Sequence, residues 1–146
     1  MPDKNEEKIF FNALTLACES NFSFLSSLKN KYGSFQGAWN AIALNNPDFA
    51  KFGKTTIEKF LQKKKEINPE SEWQKLLNLN VKLILQEDEE YPELLQETIH
   101  CPLGIYQSGE YDHQMPAVAI VGTRKCSPYG KSVAEKISRE LVEAGL

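Results

Sequence analysis

The chain has 146 residues, 25% charged and 41% hydrophobic, with a formal net charge of -3 at pH 7. That is enough for one ordinary domain or two small ones of soluble globular composition, and the negative balance excludes a protein coated in positive charge while permitting a local basic pocket. No apolar run approaches a membrane span, the N-terminus MPDKNEEK lacks the basic and apolar regions of a signal peptide, and Cys18, Cys101 and Cys126 form no CxxC pair; a cytoplasmic location with reduced thiols, and neither a disulfide framework nor a zinc site, is the expectation.

From about Glu6 to Lys75 the pattern is that of short helices. Ile9, Phe10, Ala13, Leu14, Leu16 and Ala17 recur at helical spacing, and Phe24, Leu25 and Leu28 open a second apolar face. Gly33 breaks that helix, and Ser34 is placed to cap a third carrying Phe35, Ala38, Trp39 and Ile42. Asn45-Asn46-Pro47 predicts a turn, and Thr55 or Thr56 a cap for a helix holding Ile57, Phe60 and Leu61. Asn68-Pro69 then separates that helix from one around Trp73, Leu76 and Leu77. The two tryptophans read as core, and Lys63-Lys64-Lys65 as a solvated helix face.

Near Asn80 the period changes. Val81 to Leu85 predicts a strand, and Glu87, Asp88, Glu89, Glu90 and Glu93 a solvated acidic turn, after which Pro92 opens a short helical segment. Leu103 to Gly109 predicts a second strand. Ala117 to Val121 predicts a third, entering Gly122 and a polar loop before a helix that starts at Pro128 and carries Val133, Ala134, Ile137, Leu141 and Val142. Strand, glycine turn and amphipathic helix in that order predict the opening of a parallel α/β sheet. A helix ending at Ala144-Gly145 would feed a further strand, so the chain reads as a fragment of a longer protein.

In a parallel sheet, ligands gather where strands end and the next helix presents its N–H groups, which suits an anion. Gly122 permits close backbone approach, Thr123 donates from hydroxyl and amide, and Arg124 offers a planar fork; Ser127, Tyr129 and Lys131 add donors nearby. Anion binding and a plain surface role for Arg124 both fit these residues. Neither Gly130-Lys131-Ser132 nor Gly53-Lys54-Thr55 has the upstream glycine of a nucleotide phosphate loop, and the region around Gly122 lacks the dinucleotide fingerprint. His100 and His113 read as structural or surface residues, and no catalytic set, metal site or cofactor is indicated. Phe52 to Ile57 resembles the hairpin of a helix-hairpin-helix module as well as a plain interhelical turn.

Taken in order, Lys31-Tyr32-Gly33-Ser34-Phe35, Tyr91-Pro92-Glu93-Leu94-Leu95, Cys101-Pro102-Leu103-Gly104-Ile105-Tyr106 with Gly109, Ile120-Val121-Gly122-Thr123-Arg124 and Ser127-Pro128-Tyr129-Gly130 resemble the DNA-processing protein A (DprA, or Smf) family. The family usually has serine or alanine where Thr123 stands, and aspartate-proline where His100-Cys101 precede Pro102. The resemblance implies a small all-α, SAM- or helix-hairpin-helix-like domain over residues 1–79. The beginning of a truncated Rossmann-like parallel α/β domain would follow over 80–146. It also implies a non-enzymatic protein that binds single-stranded DNA and loads the RecA recombinase in natural transformation, dimeric at full length, with this fragment monomeric and a weak binder. By position, Arg124 would grip DNA phosphates, with Gly122 and Thr123 shaping the pocket and Ser127 and Lys131 beside it. The alternative is a Rossmann-like enzyme holding a nucleotide or nucleoside phosphate at the same loop.

Overall fold

The computed structural model describes residues 3–19, 21–41, 52–110, 116 and 118–146. Helices α1 (Lys4–Ala17), α2 (Phe22–Tyr32), α3 (Phe35–Ala41), α4 (Lys54–Glu66) and α5 (Pro69–Asn78) come first. Strand β1 (Val81–Leu85), the single turn α6 (Glu93–Gln96), strand β2 (Gly104–Ser108) and helix α7 (Pro128–Glu143) follow. The expected Asn45–Pro47 turn, Ile42, His113 and Ala117 lie outside the described residues.

Local chemistry sets the helix boundaries. Asp3, Asn21 and Asn68 each accept a hydrogen bond from a first-turn amide, of Asn5, Phe24 and Ser71 respectively. Gly33, at φ 72°, ends α2 in the left-handed conformation, and Ser34 Oγ accepts from Gly37 N at 2.9 Å, as its sequence position predicts. Helix α4 departs from expectation. Its N-cap is Gly53, at φ 78° and without a side-chain cap, so Thr55 and Thr56 lie inside the first turn. The glycine turns the chain directly into the helix and leaves the threonines no capping position.

Helix α1 is the central strut, packing against α3, α4, α5 and β1. The core gathers Phe11, Leu14, Phe24, Leu28, Phe35, Trp39, Phe60 and Trp73 together with Leu83 and Leu85 of β1. Phe24 meets Phe60 and Phe52 edge-on, with centroids 5.3 and 5.0 Å away. Leu16, expected inside, is 43% exposed, and Phe11 fills the inward position instead; positions 7, 11 and 14 face inward, and 16 falls outside that stripe. The lysine run also differs from a solvated face. Lys64 lies over the Trp39 ring, 5.2 Å from its centroid, and donates to the Trp39 carbonyl. Burial pulls its ammonium below the ordinary lysine range. Lys63 pairs with Glu19 at 2.6 Å.

The two strands form where the alternation places them, but they pair antiparallel, from Val81 opposite Ser108 to Leu85 opposite Gly104. Residues 86–103 connect them. Tyr91, 3% exposed, stabilises that connection by donating to the Pro102 carbonyl at 2.7 Å with Cys101 Sγ 3.4 Å away; burial, then the thiol, push its hydroxyl pKa up. The acidic turn is anchored rather than merely solvated. Asp88 accepts from Leu85 N at 2.9 Å and pairs with Lys8 at 2.8 Å, while Glu87 reaches Lys29 at 3.3 Å.

Partial burial of Asp88 opposes its ionisation, but the bonds from Lys8 and the Leu85 amide, with the charges of Lys8 and Lys4, outweigh it and hold the pKa below the ordinary aspartate value. A depressed carboxylate contributes stability above its unfolded pKa and loses it as pH falls through the folded one. Urea midpoints of wild type and Asp88→Asn should therefore differ at pH 6 and converge as pH drops below about 4. A constant gap across that range would remove Asp88 from the acid response.

The chain divides into compact units 1–110 and 111–146. The sequence boundary at 79/80, drawn on the change of period, falls inside the first unit, where β1 packs on α1 and α5. In the second unit, Val118 to Val121 carry no strand, and Val121 is 90% exposed. A strand exists through its ladder, and no described residue pairs with this segment. The sheet of the described residues is thus the two-stranded antiparallel pair, not a parallel one. Among the described residues no helix is long and apolar enough to cross a membrane, and no cluster of His, Cys, Asp and Glu could hold a metal ion.

Candidate nucleic-acid interface

In the second unit, residues 118–146 carry Arg124, Lys125, Lys131, Lys136 and Arg139 against Glu135, Glu140 and Glu143. The local balance is positive although the whole chain is not, so a polyanion would find its field here.

An open concavity of about 780 Å³ lies between residues 120–127 and one flank of α7. It brings together four of the five residues expected from sequence: Gly122, Thr123, Ser127 and Lys131. Arg124 is outside its lining, on the exposed loop immediately after Thr123. Its guanidinium has no ion-pair partner among the described residues. The lining also contains Cys126, Glu135, Ser138 and Arg139, which the sequence reading did not select. Helical spacing gives no clear signal for Arg139: it falls eight residues beyond Lys131, about 80° round the helix, so periodicity alone does not put the two on one strip.

The helix start is less open to an anion than the sequence suggests. Ser127 is the N-cap, its Oγ accepting from Gly130 N at 3.1 Å, and Lys131 N bonds the Ser127 carbonyl at 3.0 Å. Pro128 has no N–H to offer. Of the first-turn amides, Tyr129 N–H alone is left without a bond among the described residues, so a ligand would be held by side chains more than by the helix terminus. Thr123 Oγ1 accepts from Lys125 N at 3.4 Å, and its hydroxyl hydrogen stays available.

Gly122 has a different character from the glycines that shape the fold. A Cβ built there meets nothing within 4 Å, and its φ is not in the left-handed region. Nothing within the described chain requires glycine at that point, whereas close approach of a ligand to the backbone would. Cys126 is exposed and Cys101 half-buried, while burial pushes the Cys18 thiol up to about 12. Two smaller hollows in the first unit, lined by Cys18, Lys59 and Lys63 and by Lys4, Glu7 and Lys29, gather none of the expected site residues.

The concavity lies in a stretch that is similar to known proteins. Residues 82–146 match the family model described as DNA recombination-mediator protein A. Protein Smf of Synechocystis sp. (strain ATCC 27184 / PCC 6803 / Kazusa) is 31% identical over 126 residues, covering 83% of this chain and 32% of that relative. The chain therefore spans about a third of the length of the curated relative it matches. No solved structure matches it. The family match covers β2, the concavity, α7 and all but the first residue of β1, and the similarity to Smf extends over most of the chain; the chain belongs to the DNA-processing protein A (DprA/Smf) family.

Proposed function

We propose that the 122–131 turn binds the phosphates of single-stranded DNA, and that the protein acts, with a Rossmann-like domain built on this turn, as a recombination mediator loading the RecA recombinase onto incoming DNA in natural transformation. Dimerisation of the longer protein belongs to the same reading. The observation that carries it is the concavity itself, which collects Gly122, Thr123, Ser127 and Lys131 within the family-matched region, beside an unpaired Arg124. Cationic forks without a protein partner suit phosphate oxygens, and a phosphate-gripping protein needs no catalytic group.

Fluorescence anisotropy of a labelled oligothymidylate, titrated across a salt series, tests this. Affinity should fall as salt rises, and Arg124→Ala should weaken binding and flatten the logarithmic salt slope by about 0.7, the share of one single-strand phosphate contact. Salt-insensitive binding, or none, would overturn the proposal. Full displacement of the oligomer by an equal concentration of a mononucleotide would instead favour a nucleotide pocket.

A further inference from the structure

Lys131 and Arg139 both line the concavity, and eight residues of α-helix set their backbones about 12 Å apart along the axis. Helical side chains lean toward the N-terminus in parallel from their own turns, so the two cations meet different points of a bound anion. The ion pairs of α7 distinguish Arg139 from its neighbours. Lys131 pairs with Glu135 and Lys136 with Glu140, each at 3.8 Å between exposed side chains. Arg139 has Glu135 one turn before it and Glu143 one turn after it, yet it pairs with neither and has no other ion-pair partner among the described residues. Arg139 lines the same hollow as Thr123 and Ser127.

Glu135, also in the lining, is the one carboxylate facing an arriving anion there. Its exposed pairing with Lys131 is weak and readily exchanged. Ser138 Oγ donates to the Ala134 carbonyl at 2.8 Å, so its hydrogen is committed to the helix backbone. The cationic contacts of the concavity are therefore Lys131 near the start of α7 and Arg139 further along it, with Glu135 between them as a competitor.

We infer that Arg139 is a second phosphate anchor, and that the concavity holds a run of phosphates along α7 rather than a single phosphate group. The inference rests on the proposed phosphate site and specifies its ligand as a polymer. An arginine fork can take two oxygens of one phosphate, while Lys131 serves as a point charge for another.

Labelled oligothymidylates of two and of twelve nucleotides, titrated with the 146-residue chain at low salt, separate the possibilities. Arg139→Ala should lower affinity for the twelve-mer roughly five- to tenfold and flatten its salt slope, with little change for the dinucleotide. Arg139→Lys should restore the slope but only part of the affinity. Glu135→Gln should tighten the twelve-mer roughly two- to threefold by releasing Lys131 and removing the opposing charge. Because both side chains are exposed, melting temperatures should stay at the wild-type value. If Arg124→Ala weakens binding but Arg139→Ala matches wild type at both lengths, the second anchor is overturned and the phosphate site survives. An Arg139→Ala loss of equal size for dinucleotide and twelve-mer would also overturn it, since the anchor would then belong to a single-phosphate site. Wild-type chain that binds neither oligomer overturns both.

Discussion

Glu7→Ala should destabilise the first unit by about 2–4 kcal/mol, the cost of leaving two helix-start amides without their acceptor and a half-buried Lys29 with Glu87 alone. Glu7 is 6% exposed on α1, and its carboxylate accepts from Phe35 N at 3.0 Å and Gln36 N at 3.2 Å. Ser34 Oγ takes Gly37 N, so these two acceptors together satisfy the first three amides of α3. Lys29 Nζ approaches Glu7 at 3.3 Å while lying 4.3 Å from the Phe35 ring centroid, so the same carboxylate also neutralises a largely covered cation. Glu7→Gln keeps one acceptor but turns an NH2 toward either Lys29 or an amide, and should recover less than half of the loss. Equilibrium urea unfolding of the three proteins measures this. An alanine variant within 0.5 kcal/mol of wild type would mean that water replaces the carboxylate without cost.

The second large effect is expected at Gly104. Gly104 faces Leu85 in the β1–β2 ladder, and a Cβ built on it comes within 2.8 Å of Phe11 Cζ, 2.9 Å of Cε1 and 3.1 Å of Leu85 Cδ2. Its φ is not left-handed, so the constraint is steric. Phe11 cannot simply swing away, being 3% exposed and edge-on to Phe35 at 5.0 Å. Replacing glycine by alanine in an unobstructed strand would stabilise by about 0.4–1 kcal/mol through the unfolded chain. Here overpacking should reverse the sign and cost about 1–3 kcal/mol. Gly104→Ala combined with Phe11→Leu should lose less than the sum of the single variants in a double-mutant cycle. Additive losses would place the strain elsewhere.

Both positions show where sequence reasoning reaches its limit. The residue patterns of β1 and β2 are visible because alternation and glycine mark strands locally, and the Ser34 cap because its partner is three residues away. The bond from Glu7 to the α3 amides crosses 28 residues, and nothing local marks a glutamate as buried. Leu16 and Phe11 exchange places for a related reason: apolar periodicity defines a stripe, but its centre depends on what packs against it. Lys64 read as solvent-facing because a charge run carries no sign of the aromatic ring it covers. At the candidate site, the Gly122–Lys131 turn was legible from the residue types a phosphate requires. Arg139 was not, because it lies on the helix beyond the motif and only the folded backbone brings it alongside Thr123. The antiparallel pairing of β1 with β2 was equally hidden, since the strands' composition does not encode their direction.

The bond from Tyr106 Oη to Asn12 Oδ1 spans 94 residues at 3.0 Å and joins β2 to the first helix. It ties completion of the first unit to its last strand. Phe35 of α3 lies near Phe11 in sequence and can cover it early, whereas Gly104, which also lies against the Phe11 ring, belongs to β2. Part of the α1 surface is thus covered by its near neighbours, while the rest stays open until the chain has closed a loop of more than ninety residues.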